Sequence, residues 1–253
     1  SGHLQLIACA GSGKTEVVAR RVVNLLRRKK DGGAGCVPEN VIAFTFTEKA
    51  SAELKERIHE RCREAFGEVH GMAEMYVGTI HGFCLELLKA EVPEYMKYEV
   101  LNEVQQVLFV DRNSKKSGLT DSTTTDGVPL KRWIDTRNYV AALGILREDT
   151  PVHPGLLAGN SVAEKLPRYE ALTHEHGYLD YSAILKEAVA ALRGDKALRK
   201  RLAERVRHVI VDEYQDVNPI QEAIVHELRT LGASVCVVGD DDQTIYQWRG
   251  SDV

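Results

Sequence analysis

The sequence predicts an α/β protein, a doubly wound parallel sheet interrupted by an inserted, mainly helical subdomain. Three observations predict it. Short apolar strands alternate with helix-period segments over residues 1–90; the alternation lapses over 91–176; it returns over 177–253. The expected organisation is therefore a core in two parts, 1–90 and 177–253, around a helical subdomain at 91–176.

The elements follow in order. LQLIAC (4–9) is a short apolar run before the Gly-rich AGSGKT, and Val17, Val18, Val22, Leu25 and Leu26 give residues 14–30 a helical spacing. DGGAGCVPEN (31–40) reads as a loop and VIAFTF (41–46) as a buried strand. Ala50, Leu54, Ile58 and Cys62 mark a helix over 48–66. MYVG (75–78) is a strand and HGFCLELLKA (81–90) a helix. The region 91–176 holds five of the seven prolines, a Ser/Thr/Asp-rich stretch at 117–127, and short helical pieces such as 101–110 and 131–148. The later core offers a helix near 180–193, strand HVIVD (208–212), a helix near 219–231 and strand SVCVVG (234–239).

Composition bounds the function. The chain has 253 residues, 43% hydrophobic and 28% charged, which excludes a disordered, collagenous or coiled-coil chain and suffices for one sizeable core. Its 33 Lys and Arg against 37 Asp and Glu give a net charge of −4, so no basic coat covers it, but a local groove can still bind phosphates. The five scattered cysteines form no CxxC pair, which excludes a disulfide framework and fits a reducing cytoplasm. No apolar run reaches the ~20 residues that span a bilayer, so no membrane partner is expected. Ser1 to His3 read as a tag remnant, and the stop at Ser251-Asp252-Val253, directly after a dense polar motif, as a truncation.

The chemistry begins at residues 8–15. Ala8-Cys9-Ala10-Gly11-Ser12-Gly13-Lys14-Thr15 matches the phosphate loop GxxxxGK[ST] except at its first position. Gly11 and Gly13 let backbone N–H groups face β- and γ-phosphates above a helix N-terminus, Lys14 supplies a point charge, and Thr15 offers a hydroxyl to Mg²⁺. Such a loop needs a metal-holding acid. VIVDE (209–213) places two carboxylates at a strand end, Asp212 for Mg²⁺ and Glu213 to orient or deprotonate the attacking water.

Five strings in register, AGSGKT, FTFTEKAS (44–51), GTIHGF (78–83), VDEYQD (211–216) and VGDDDQTIYQWRG (238–250), resemble the motifs of UvrD/Rep-like superfamily 1 DNA helicases. The resemblance implies a RecA-like P-loop core that uses ATP and Mg²⁺, with Ala10 to Thr15 on the nucleotide. Lys14, Glu213 and Gln243 are then catalytic, Gln243 through the γ-phosphate, and Thr15 and Asp212 hold Mg²⁺. It implies single-strand contacts from Thr45, Phe46, Thr47, Thr79, His81, Tyr246, Trp248 and Arg249. The residue types suit that role, because aromatic faces stack on any base while hydroxyls and Arg hold phosphates without reading sequence. The family commonly starts its loop with Ala, which accounts for Ala8. Two departures stand out: only His3 to Gln5 precede the first strand, where relatives carry an adenine-reading glutamine, and Glu16 stands where relatives often place an arginine near the base.

The implied function is the N-terminal motor half of a 3′–5′ DNA helicase in repair or recombination, acting on single strands and single-strand/duplex junctions. It lacks the C-terminal motor domain of the same polypeptide, and with it the arginine finger. The alternatives are the helicase half of an AddA- or RecB-type helicase-nuclease, and a non-helicase P-loop ATPase switch. Other signals are weaker. Arg27 to Lys30 reads as a solvated helix end, His174 and His176 as ordinary histidines, and Lys115, Lys116, Lys131, Arg132 and Arg137 as duplex contacts by positional analogy alone.

Overall fold

Five parallel strands build the central sheet. They are β1 (Leu4–Ile7), β2 (Val41–Thr45), β3 (Tyr76–Thr79), β6 (His208–Val211) and β7 (Ser234–Gly239), in the order β1-β7-β6-β2-β3. All of β2 is buried, as expected of a strand covered on both faces, and Val41 to Phe44 pair with His208 to Val211. Ile7 pairs with Gly239 and Thr45 with Thr79, so the carboxyl ends of all five strands form one edge. The computed structural model describes residues 3–7, 9, 12–27, 36–67, 70–149 and 160–240.

Helices α1 (Lys14–Leu26) and α2 (Glu48–Phe66) bury Val18, Ala19, Val22, Leu54, Ile58 and Cys62 against Val41, Ala43, Ile210, Cys236 and Val238. Helix α9 (Pro219–Thr230) starts at a capping box in which Asn218 Oδ1 accepts from Gln221 N and Gln221 Oε1 accepts from Asn218 N. Helix α8 (Lys196–Arg205) is tied to α9 through Arg199, which reaches the carboxylate of Glu227 at 3.1 Å.

The chain divides into two units, residues 1–83 with 189–253 and residues 84–188. The second holds α4 (Glu103–Arg112), α5 (Thr136–Asp149), α6 (Ser161–Glu175) and a two-stranded parallel pair of β4 (Glu99–Val100) and β5 (Tyr178–Leu179). The sequence sets the limits of this region at 91 and 176. These limits differ because α3 (Ile80–Glu91) and α7 (Tyr181–Gly194) run unbroken through the division, leaving no interruption in the pattern to mark it. Helix α6 carries Pro167 in its interior, a residue that interrupts the helical pattern in the sequence.

Tyr139, Leu143, Tyr169, Val110 and Leu119 form the core of the helical unit. Beside them the fully buried Arg147 places Nη1 2.7 Å from each oxygen of Asp180, to which the Tyr169 hydroxyl also donates. Burial pushes the Asp180 carboxyl up, but Arg147 together with hydrogen bonds from Ala183 N and the Tyr169 hydroxyl outweighs it and holds the group below the usual range. Buried charges persist only when paired in this way. Among the described residues no helix is long and apolar enough to cross a membrane.

Candidate functional site

The predicted chemistry gathers at the carboxyl edge of the sheet, where a parallel sheet places its ligand-binding loops. Gly13 caps α1 at φ 87°, a left-handed conformation that favours glycine, and Ser12 N donates to Cys9 O at 3.2 Å. Lys14, the first residue of α1, is only 8% exposed, and Thr15 follows half-buried. Ala10 and Gly11 lie outside the described residues, as do Gln243, Tyr246, Trp248 and Arg249.

Two strands away, β6 delivers Asp212 and Glu213. Asp212 N donates to Phe44 O at 2.9 Å, extending the ladder one residue past the strand. The chain then turns sharply: Glu213 sits at φ 52°, left-handed for a non-glycine residue, and its N–H donates to Asp212 Oδ1 at 3.1 Å. A conformation of that kind costs on the order of 1 to 3 kcal/mol and persists where the surroundings enforce it. Lys14 Nζ lies 3.0 Å from Glu213 Oε2, so Lys14 of the expected phosphate loop and the second acidic residue are joined directly.

Three carboxylates share that one ammonium. Burial first, then the charge of Glu213, push Asp212 up to about 6 against the opposing pull of its Glu213 N–H bond and of Lys14. Asp216 is pushed up to about 6 by burial and by Glu213, again with Lys14 opposing. Asp216 Oδ1 is buried and accepts no hydrogen bond among the described residues. This surplus of negative charge fits a divalent cation. No cluster of three His, Cys, Asp or Glu side chains suited to a metal occurs among the described residues.

Of the residues expected to contact single strands, Thr45, Phe46, Thr79 and His81 stand beside Asp212. Phe44, Thr45, Phe46, Thr79, Ile80, His81, Val211, Asp212, Val217 and Gln221 line a cavity of about 20 Å³, room for about one water. Within this group Thr45 is buried, its hydroxyl bonded to Thr47 O and Ser51 Oγ, and Thr47 Oγ1 caps α2 by accepting from Ala50 N. Thr79 Oγ1 donates to Glu48 Oε1 and accepts from Gly82 N. These hydroxyls shape the strand-to-helix turns, while Phe46 and His81 are half-buried at the same edge. Glu16 forms ion pairs with Arg20 at 2.7 Å and Arg61 at 3.0 Å; the Arg20 bond is the chief cause of its lowered carboxyl.

The whole chain, residues 1–253, matches the profile of the UvrD/REP helicase N-terminal domain. The chain belongs to that family. It is 29% identical over 269 residues to a DNA helicase II of Rickettsia typhi, a match covering 100% of this chain and 37% of the relative. It is 28% identical over 259 residues to the ATP-dependent DNA helicase PcrA of Staphylococcus aureus, covering 100% of this chain and 33% of that protein. The chain therefore spans about a third of the length of these relatives.

Three residues to which the sequence reading gives no role join this cluster. Gln215 donates to Glu213 Oε2 at 2.8 Å, Asp216 adds the third carboxylate, and Gly239 lies against Gln215. The signal was present in VDEYQD, but only the turn at Glu213 shows which of its side chains return toward Lys14.

Proposed function

We propose that the chain is the N-terminal motor half of an ATP-dependent 3′–5′ DNA helicase, binding Mg²⁺-ATP at the carboxyl edge of the sheet and a DNA single strand beside it. The observation that carries this reading is the Lys14–Glu213 pair at 3.0 Å, with Asp212 shared between that pair and the cavity lined by Phe46, Thr79 and His81. The named relatives are helicases, which favours this reading over a helicase-nuclease or an ATPase switch.

In this proposal Ala10 to Thr15 cradle the phosphates, and Lys14 turns from Glu213 to the β- and γ-oxygens. Glu213 then accepts a proton from the water that attacks the γ-phosphorus as the bond to the ADP oxygen breaks. Asp212 and Thr15 would hold Mg²⁺, which would supply neutralisation of the phosphate charge. Gln243 senses the γ-phosphate, and Phe46, Tyr246 and Trp248 stack on bases while Thr45, Thr47, Thr79, His81 and Arg249 guide the backbone. The arginine finger comes from a C-terminal motor domain of the same polypeptide, and the substrate includes single-strand/duplex junctions in the cytoplasm.

Calorimetry with Mg²⁺-ATP on this chain and on Lys14→Ala tests the site. Micromolar to millimolar binding that Lys14→Ala weakens by tenfold or more is expected, since a phosphate charge contact is lost. Equal affinity in the two proteins refutes the assignment.

A further inference from the structure

Glu213 Oε2 meets two nitrogen groups, one by an ion pair and one by a hydrogen bond. One is Lys14 Nζ at 3.0 Å, the other Gln215 Nε2 at 2.8 Å. Under the proposed function the first of these is temporary, because phosphate competes for the lysine. The second is a neutral amide with no reason to leave. Its other end is held as well: Gln215 Oε1 accepts from Asp240 N at 3.0 Å. Only one orientation of the amide satisfies both contacts, since a flipped group would set oxygen against carboxylate and NH₂ against an N–H. Asp240 is the first residue after β7, where the chain departs into DDQTIYQWRG.

The strand leaves room for this bridge at one position. A Cβ built on Gly239 would lie 2.8 Å from Gln215 Oε1, while the nearest other atoms are at an ordinary 3.5 Å. Gly239 does not have a positive φ, so its backbone suits any residue and the missing side chain matters only because Gln215 occupies that space. The Glu213 side chain is 41% exposed, so water reaches the carboxylate.

We propose that Gln215 is a positioning residue: its amide holds the Glu213 carboxylate once Lys14 has been taken by phosphate, and ties that carboxylate to the backbone at Asp240, where the DDQTIYQWRG segment begins. The inference rests on the nucleotide reading above. It provides a direct mechanical link from the water-activating group to the segment expected to contact γ-phosphate and DNA, so a shift of the chain at Asp240 is transmitted through one side chain to Glu213.

The test is a double-mutant cycle on the intact polypeptide, read by single-turnover ATP hydrolysis with protein in excess. Gln215→Ala lowers the maximal rate by about 10- to 100-fold, the cost of misplacing a reacting group by roughly 1 Å, while half-saturation stays within about threefold. The near-isosteric Gln215→Glu does the same, which separates lost donation from lost packing. Gly239→Ala alone also slows hydrolysis, by displacing Gln215, but causes no further loss in the Gln215→Ala background. Hydrogen exchange at the Asp240 amide supplies a readout without turnover, and it is faster in Gln215→Ala and Gly239→Ala. Wild-type rates in Gln215→Ala, additive losses in the cycle, or unchanged Asp240 exchange would each overturn the proposal. If Lys14→Ala binds nucleotide as the wild type does, the nucleotide reading itself has failed. If Lys14→Ala is defective and Gln215→Ala is not, the bridge alone is wrong.

Discussion

Replacing Asp212 with Asn should make the nucleotide-free protein more stable at neutral pH. Asp212 is 8% exposed, and burial together with the Glu213 charge moves its carboxyl from 3.8 up to about 6. A raised carboxyl means that between about pH 4 and 6 the native state binds its proton more tightly than the unfolded chain. Stability therefore falls as pH rises through that window and stays level above it. At about 1.4 kcal/mol per unit, the ionised group costs the fold on the order of 3 kcal/mol at pH 7.5, about 1.5 at pH 5 and under about 1 at pH 4. Asn keeps the shape and the Oδ1 that accepts from Glu213 N at 3.1 Å, so removing the charge is the principal change. Urea denaturation followed by circular dichroism, in chelator and without nucleotide, should show the variant ahead of wild type by up to that amount at pH 7.5, with the gap closing toward pH 4. Adding Mg²⁺ and ATP should then stabilise the wild type and not the variant. A variant no more stable at pH 7.5, or a gap independent of pH, would refute the reasoning that these carboxylates are held under electrostatic stress in wait for a cation.

Other expectations concern separate parts of the molecule. Residues 1–253 alone should not hydrolyse ATP at a motor's rate, because they span about a third of their relatives' length and the proposed arginine finger belongs to the remainder; fast DNA-stimulated turnover abolished by Glu213→Gln would contradict this. Trp248→Ala should weaken single-strand binding by about 1 to 3 kcal/mol with little change in its salt slope, whereas Arg249→Ala should lower that slope by about one contact, both measured by fluorescence anisotropy across a salt series. Arg147→Ala leaves the 1%-exposed Asp180 without its partner and should destabilise the helical unit by about 3 to 5 kcal/mol in chemical denaturation, while loss of under about 1 kcal/mol would show that the pair carries little.

The sequence alone determined the repeating local structure and the family to which the chain belongs. Period-2 and period-3.6 patterns are written in neighbouring residues, so α2 could be read over 48–66 and is found at Glu48–Phe66, and GKT before an amphipathic helix announces a phosphate loop wherever it occurs. Tertiary structure decided what no local window contains. Register between β6 and β7 sets Gly239 beside Gln215, and the left-handed turn at Glu213 sends that carboxylate back to Lys14 across 199 positions of sequence. Sequence names Thr45 and Thr47 as candidate contacts but does not show that their hydroxyls also shape the β2–α2 turn, Thr45 Oγ1 donating to Thr47 O and Thr47 Oγ1 accepting from Ala50 N. The limits of the helical unit stayed hidden for a similar reason: a helix that passes continuously from one unit into another keeps its period, and only long-range packing tells which end belongs to which.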